Sequence, residues 1–159
     1  MHVSHDARNT HNQIPSLGPV LDFLRLLWSF DHALHQTSKR MALSSGITGP
    51  QRLVIRIVGR FPGITLGQLA EIMKVHPSTL TGIIKRLQQN RLISRRADQR
   101  DGRRASLGLT ATGRKVDLNR EATIEAGVQH AMSELSANQL EATRQVLEKI
   151  TNALRTGKR

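Results

Sequence analysis

The stretch TLGQLAEIMKVHPSTLTGIIKRLQQN, residues 65–90, decides the fold. Thr65 followed three residues later by Gln68 is a capping box, in which each side chain satisfies a backbone amide that the first helical turn leaves unpaired. The helix it opens is short and ends near Met73. Pro77 starts a second helix, because its fixed φ suits a first turn and its missing N–H is not needed there. Leu80, Ile83, Ile84 and Leu87 then recur at helical spacing as the buried face. Two short helices joined across Lys74–His76 predict a helix-turn-helix. The outward face of the second helix, Ser78, Thr79, Thr81, Gly82, Lys85 and Arg86, is small or basic, and no glutamate occurs between Lys74 and Ala97. Small polar groups near a helix N-terminus allow close approach to base edges in a major groove, while Lys85 and Arg86 suit phosphates.

Past Asn90 the period changes from helical to extended. Leu92-Ile93-Ser94-Arg95 and Arg104 to Leu109 flank a polar, glycine-containing loop, the pattern of a β-hairpin. Between Lys85 and Arg104 there are eight basic residues against two acidic ones, a surplus of six, which is half the chain's net charge of +12 in about an eighth of its length. Scattered charge does not produce that concentration. Arg95, Arg96, Arg100, Arg103 and Arg104 on a hairpin are suited to bridging phosphates or entering a narrow minor groove. Thr110 is placed to cap a fifth helix running to about Ala131. Ser136 and Gln139 form another capping box, before Leu140, Thr143, Leu147, Ile150 and Leu154 at steps of three and four.

Upstream, residues 1–16 carry almost no apolar content and are expected to be a disordered tail. Val20, Phe23, Leu27, Phe30, Leu34, Thr37 and Met41 then mark a long helix that Gly46 ends, and a second stripe, Leu21, Leu24 and Trp28, widens its apolar face beyond the needs of one core. Thr48 and Pro50 open the next helix, with Leu53, Val54, Ile57 and Val58 expected inside and Phe61-Pro62-Gly63 as its stop. The expected organisation is mainly α with a small β-hairpin wing: a dimerisation helix over 17–47, a winged helix-turn-helix DNA-binding domain over 48–110, and C-terminal helices of the dimerisation region over 111–159. The surplus apolar surface at both ends predicts a homodimer.

Composition narrows the partner. Twenty-four Lys and Arg against twelve Asp and Glu in 159 residues favour a polyanion. One Trp, three Phe and no Tyr leave few stacking platforms for single strands or RNA loops, so double-stranded DNA is expected. A membrane is not: the most apolar run, Leu21 to Phe30, is short and broken by Asp22 and Arg25. The polar start has no signal-peptide h-region, and with no cysteine the chain lacks disulfides and thiol chemistry, which fits a cytoplasmic protein.

Leu69-Ala70-Glu71, Pro77-Ser78-Thr79-Leu80-Thr81, Arg91-Leu92-Ile93, Asp98-Gln99-Arg100-Asp101-Gly102-Arg103-Arg104 and Leu109-Thr110-x-x-Gly113-Arg114 resemble the MarR family of transcriptional regulators, with the match running from about Val20 to the end. The wing motif followed by Leu-Thr-x-x-Gly is its most specific part. The resemblance implies a dimer built from the terminal helices, a palindromic operator, repression relieved by a small anionic aromatic effector, Arg103 in the minor groove and Asp101 orienting neighbouring arginines. Gly82 departs from the pattern, standing where family members often carry a larger, basic residue.

Leu24, Trp28, Asp31, His32 and His35 fall on neighbouring positions of the first helix. Trp28, His32 and His35 are expected to line an effector pocket, with Arg52 or Arg56 offering a guanidinium fork to a ligand carboxylate. A histidine pair with one aspartate and no fourth ligand does not make a metal site. No phosphate-binding glycine loop, zinc-protease pair, cysteine nucleophile or paired carboxylate predicts an enzyme or a cofactor. The competing expectation is an architectural protein that coats DNA with little sequence preference.

Overall fold

A computed structural model of the protein describes residues 16–97 and 105–157. Helices α1 (Pro19–Ser45), α2 (Gly49–Arg60), α3 (Leu66–Met73) and α4 (Pro77–Gln89) precede strands β1 (Ile93–Ala97) and β2 (Ala105–Leu109); α5 (Ala111–Leu118), α6 (Ile124–Ser133) and α7 (Ala137–Thr156) follow. The described residues are thus mainly helical with one small antiparallel pair of strands, a winged helix-turn-helix with long helices on either side.

Local chemistry sets most element boundaries. Gly46 closes α1 in the left-handed conformation, at φ 71°. Thr48 with Gln51, Thr65 with Gln68, and Ser136 with Gln139 each form a complete capping box at the start of α2, α3 and α7. The hairpin pairs Ile93 with Leu109 and Arg95 with Leu107, and the segment before α3 joins the far edge of β2 through Gly63 N–H to Leu107 O at 2.9 Å and Leu107 N–H to Ile64 O at 2.8 Å.

The core belongs to residues 47–107. Val54, Ile55 and Val58 of α2, Leu69 of α3, and Leu80, Ile84 and Leu87 of α4 meet Ile93 and Leu107 of the hairpin. Leu53 is a correction. It is half exposed, and Ile55 takes the interior place, because the buried face of α2 runs through 54, 55 and 58 and position 53 lies to its side. Helices α6 and α7 bury no residue, and on α1 only Met41 is buried.

The fifth helix is a second correction. It ends at Leu118 rather than near Ala131: Asn119 is extended, Ala122 takes φ 53°, and Thr123 caps α6 by accepting the Ala126 N–H at 3.3 Å. The carbonyls of Val116, Asp117 and Asn119, which a continuing helix would have used, accept instead from the guanidinium of Arg52.

Candidate nucleic-acid interface

Helix α4 is anchored by its buried side, Leu80, Ile84 and Leu87, so the remaining positions face outward. Ser78, Thr79, Thr81, Gly82, Lys85 and Arg86 are all exposed. Between Pro77 and Ala97 there are five basic residues and no acidic one, and Lys85 and Arg86 enter no ion pair among the described residues. The helix therefore presents a cationic face with the positive end of its dipole also free of acids.

The turn that aims this helix has a clear local cause. Lys74 ends α3 in the left-handed conformation, φ 52°, with its N–H on the carbonyls of Ala70 and Glu71. His76 caps α4: its Nδ1 accepts the Ser78 N–H at 3.3 Å and lies 2.8 Å from Ser78 Oγ. Sequence inspection missed this cap, although a polar residue directly before a helix-opening proline was the available signal. The hydroxyl of Thr81 donates to Pro77 O at 3.1 Å, which leaves its methyl and its acceptor lone pairs for a partner. The far end of α7 reaches the same turn, with Lys74 Nζ 3.4 Å from Glu148 Oε1 and the Arg155 guanidinium donating to the Lys74 carbonyl.

The wing is fixed at its base. Arg91 leaves α4 at φ 55°, its N–H donating to Gln88 O at 2.9 Å, and its carbonyl accepts the Thr110 hydroxyl at 2.6 Å. Thr110 Oγ1 also accepts the Gly113 N–H at 3.0 Å, capping α5. One threonine thus ties the end of the outward helix to the strand returning from the wing. Strand alternation puts Arg95 on the face of its register partner Leu107 and Arg96 on the opposite face, across from Ser106; both arginines are exposed. Arg100, Arg103, Arg104 and Asp101 lie outside the described residues.

Of the expected effector residues, Trp28, His32 and His35 lie along α1, whereas Arg52 and Arg56 are taken up at the junction of α5 and α6. Trp28 is 72% exposed, His35 Nδ1 lies 2.9 Å from Asp31 O and 3.2 Å from Asp31 Oδ1, and His32 Nε2 lies 2.7 Å from Gln36 Nε2. Arg52 is a correction. It is only 4% exposed, and its fork is occupied by Glu125 and three backbone carbonyls, so no edge is left for a ligand carboxylate. Arg56 is likewise engaged, its Nη1 donating to Asp117 Oδ1 at 2.6 Å. Among the described residues no three His, Asp or Glu side chains converge as metal ligands, and no helix is long and apolar enough to cross a membrane.

Comparison with known proteins agrees with the geometry. A sequence model of the MarR family matches residues 45–104, the span that holds the outward helix and all of the buried core but Leu107. The transcriptional regulator HosA of Escherichia coli O127:H6 is 30% identical over 106 residues, covering 67% of this chain and 78% of its own length. The HTH-type transcriptional repressor Rv2887 of Mycobacterium tuberculosis is 28% identical over 105 residues, 66% of this chain and 76% of that protein. In shape the chain is similar to MepR of S. aureus, solved as a DNA complex, with a TM-score of 0.69 at 23% identity over 83% of this chain and 97% of MepR.

Proposed function

Because the chain belongs to the MarR family of transcriptional regulators, we propose that it acts as a homodimeric repressor seated on a two-fold operator in duplex DNA. The observation that carries this reading is the exposed, acid-free outward face of α4, held in place by a buried apolar side. Ser78, Thr79 and Thr81 meet base edges in the major groove, and Lys85 and Arg86 meet phosphates. Gly82 lets the helix backbone approach. Arg95 and Arg96, and further along the wing Arg100, Arg103 and Arg104, add phosphate and minor-groove contacts, with Asp101 orienting them.

The dimer follows from surface that one chain leaves in water. Val20, Leu21, Trp28 and Phe30 of α1, Val128 and Met132 of α6, and Val146, Leu147 and Leu154 of α7 are all exposed, apolar side chains that a second subunit would cover. On this reading residues 17–47 and 111–159 join the two subunits and 48–110 reads DNA. A small anionic aromatic effector binds beside Trp28, His32 and His35 and releases the operator; Arg52 and Arg56 take no part in holding it.

Footprinting on genomic DNA tests the proposal, combined with sedimentation of the complex. A protected segment of discrete length, occupied by two chains, is the expected result. Uniform protection of all sequences would instead identify a DNA-coating protein, and a stable monomer with full operator affinity would remove the two-fold model.

A further inference from the structure

Gly49, Arg52, Arg56 and Gly59 follow one another along α2 at intervals of three, four and three, so they share one face of the helix. All four meet the junction between α5 and α6. A β-carbon at position 49 would lie 2.5 Å from Ile124 Cδ1, and one at position 59 would lie 2.7 Å from Asp117 Oδ2, so the two glycines are where the junction presses closest. Between them Arg52 donates from Nε to Glu125 Oε1 at 2.6 Å, from Nη2 to Asn119 O at 2.5 Å and Asp117 O at 3.3 Å, and from Nη1 to the Val116 carbonyl. Arg56 holds Asp117 through its carboxylate at 2.6 Å and its carbonyl at 3.1 Å, with Nε 3.7 Å from Glu125 Oε1. Val54, Ile55 and Val58, elsewhere on α2, belong to the core of the reading head. Helix α2 is therefore a shared wall between the head and the C-terminal helices.

The chemistry makes this wall stiff. A guanidinium presents five N–H groups in a rigid planar fork, and Arg52 distributes them over one carboxylate and three carbonyls that a broken helix leaves over. A buried cation without those acceptors is strongly disfavoured, so intermediate placements of the junction are disfavoured too. We infer that the Gly49–Arg52–Arg56–Gly59 face is the joint that fixes the angle between the reading head and the α6–α7 helices, with Arg52 as the positioning residue, and that it thereby sets which separation of half-sites the dimer reads. The inference rests on the two-fold dimer proposed above: if α6 and α7 meet the second subunit while α4 meets DNA, the angle at α2 converts dimer geometry into head spacing.

The test is a set of duplexes with one or two base pairs inserted or removed between the half-sites of the footprinted operator. Each base pair shifts a half-site by about 3.4 Å and turns it by roughly 34°. Full-length wild type, Arg52→Lys and Glu125→Gln are titrated against the whole set. Wild type should favour one spacing by about tenfold or more, and Arg52→Lys, which keeps the charge but loses the fork, should reduce that preference at least about fivefold. The ratio between spacings cancels the active fraction, so a partly unfolded preparation still reports. Glu125→Gln keeps an acceptor oxygen for the fork and should fold and give a smaller loss of preference; it carries the test if Arg52→Lys does not fold. A wild-type ratio in the folded variants overturns the joint. A wild type indifferent to spacing, while still binding specific DNA, overturns the two-fold operator instead.

Discussion

Gly113, in the first turn of α5, lies directly against the carbonyl of Leu92, so close that any β-carbon at 113 would overlap the Leu92 oxygen and come 3.0 Å from its carbonyl carbon. The neighbouring Thr110 bonds the carbonyls of Arg91 and Leu92 at 2.6 and 3.3 Å. The Leu-Thr-x-x-Gly motif is thus the fastening between the end of α4 and the root of the wing. Gly113→Ala should lower stability by about 2–3 kcal/mol, the cost of overpacking against backbone that has nowhere to move. Urea unfolding of the variant measures it, and an unchanged midpoint would refute the fastening.

On the proposed reading, the outward face of α4 divides into groups that discriminate and groups that attract. Thr79→Ala should weaken binding to the specific operator more than to random DNA, by about 1–3 kcal/mol if the hydroxyl contacts a base edge. Lys85→Ala and Arg86→Ala should weaken both alike, and for every phosphate no longer neutralised the slope of log affinity against log salt should become shallower by about 0.9. Titrations at three salt concentrations on operator and random duplexes separate the two. Equal losses for Thr79→Ala on both duplexes would move base reading elsewhere on the helix.

Most of the head was legible because its signals are local. The capping box at Thr65 and Gln68, the proline at 77 and the spacing of Leu80, Ile84 and Leu87 act within one or two turns, and the structure places α3 and α4 where these residues predict. The end of α5 was not legible. The carbonyls of Val116, Asp117 and Asn119 are taken up there by Arg52, more than sixty residues away in sequence. The same distance explains why Arg52 and Arg56 suggested a ligand fork: their acceptors, Glu125 and Asp117, come near only through tertiary folding. Leu53 misled for a different reason, since on a helix with Leu53, Val54, Ile55, Ile57 and Val58 the apolar pattern is too wide to fix which side is buried.

Arg103, which the proposed function assigns to DNA, is expected to supply affinity rather than discrimination. Arg103→Ala should weaken specific and random duplexes together and flatten the salt slope by about the share of one phosphate. If Arg103→Ala binds both duplexes with wild-type affinity and slope, the wing does not touch DNA through this residue.

Trp28 offers a direct test of effector binding, because it is the only tryptophan in a chain without tyrosine, so its emission reports one place almost alone. In the single chain the ring is 72% exposed on α1, beside Leu24 and one turn before His32. An aromatic anion stacked there must change the emission. Release of DNA requires more than binding: the effector must prefer the head spacing that does not fit the operator. A hundredfold preference corresponds to about 2.7 kcal/mol, within the usual span of coupling between sites. From a panel of benzoate, salicylate, nicotinate and urate analogues, at least one compound should shift Trp28 emission and raise the operator dissociation constant over the same concentration range. Trp28→Phe should need more of that compound to release DNA. Compounds that release DNA without touching the emission, and act equally on Trp28→Phe, would place the effector away from α1.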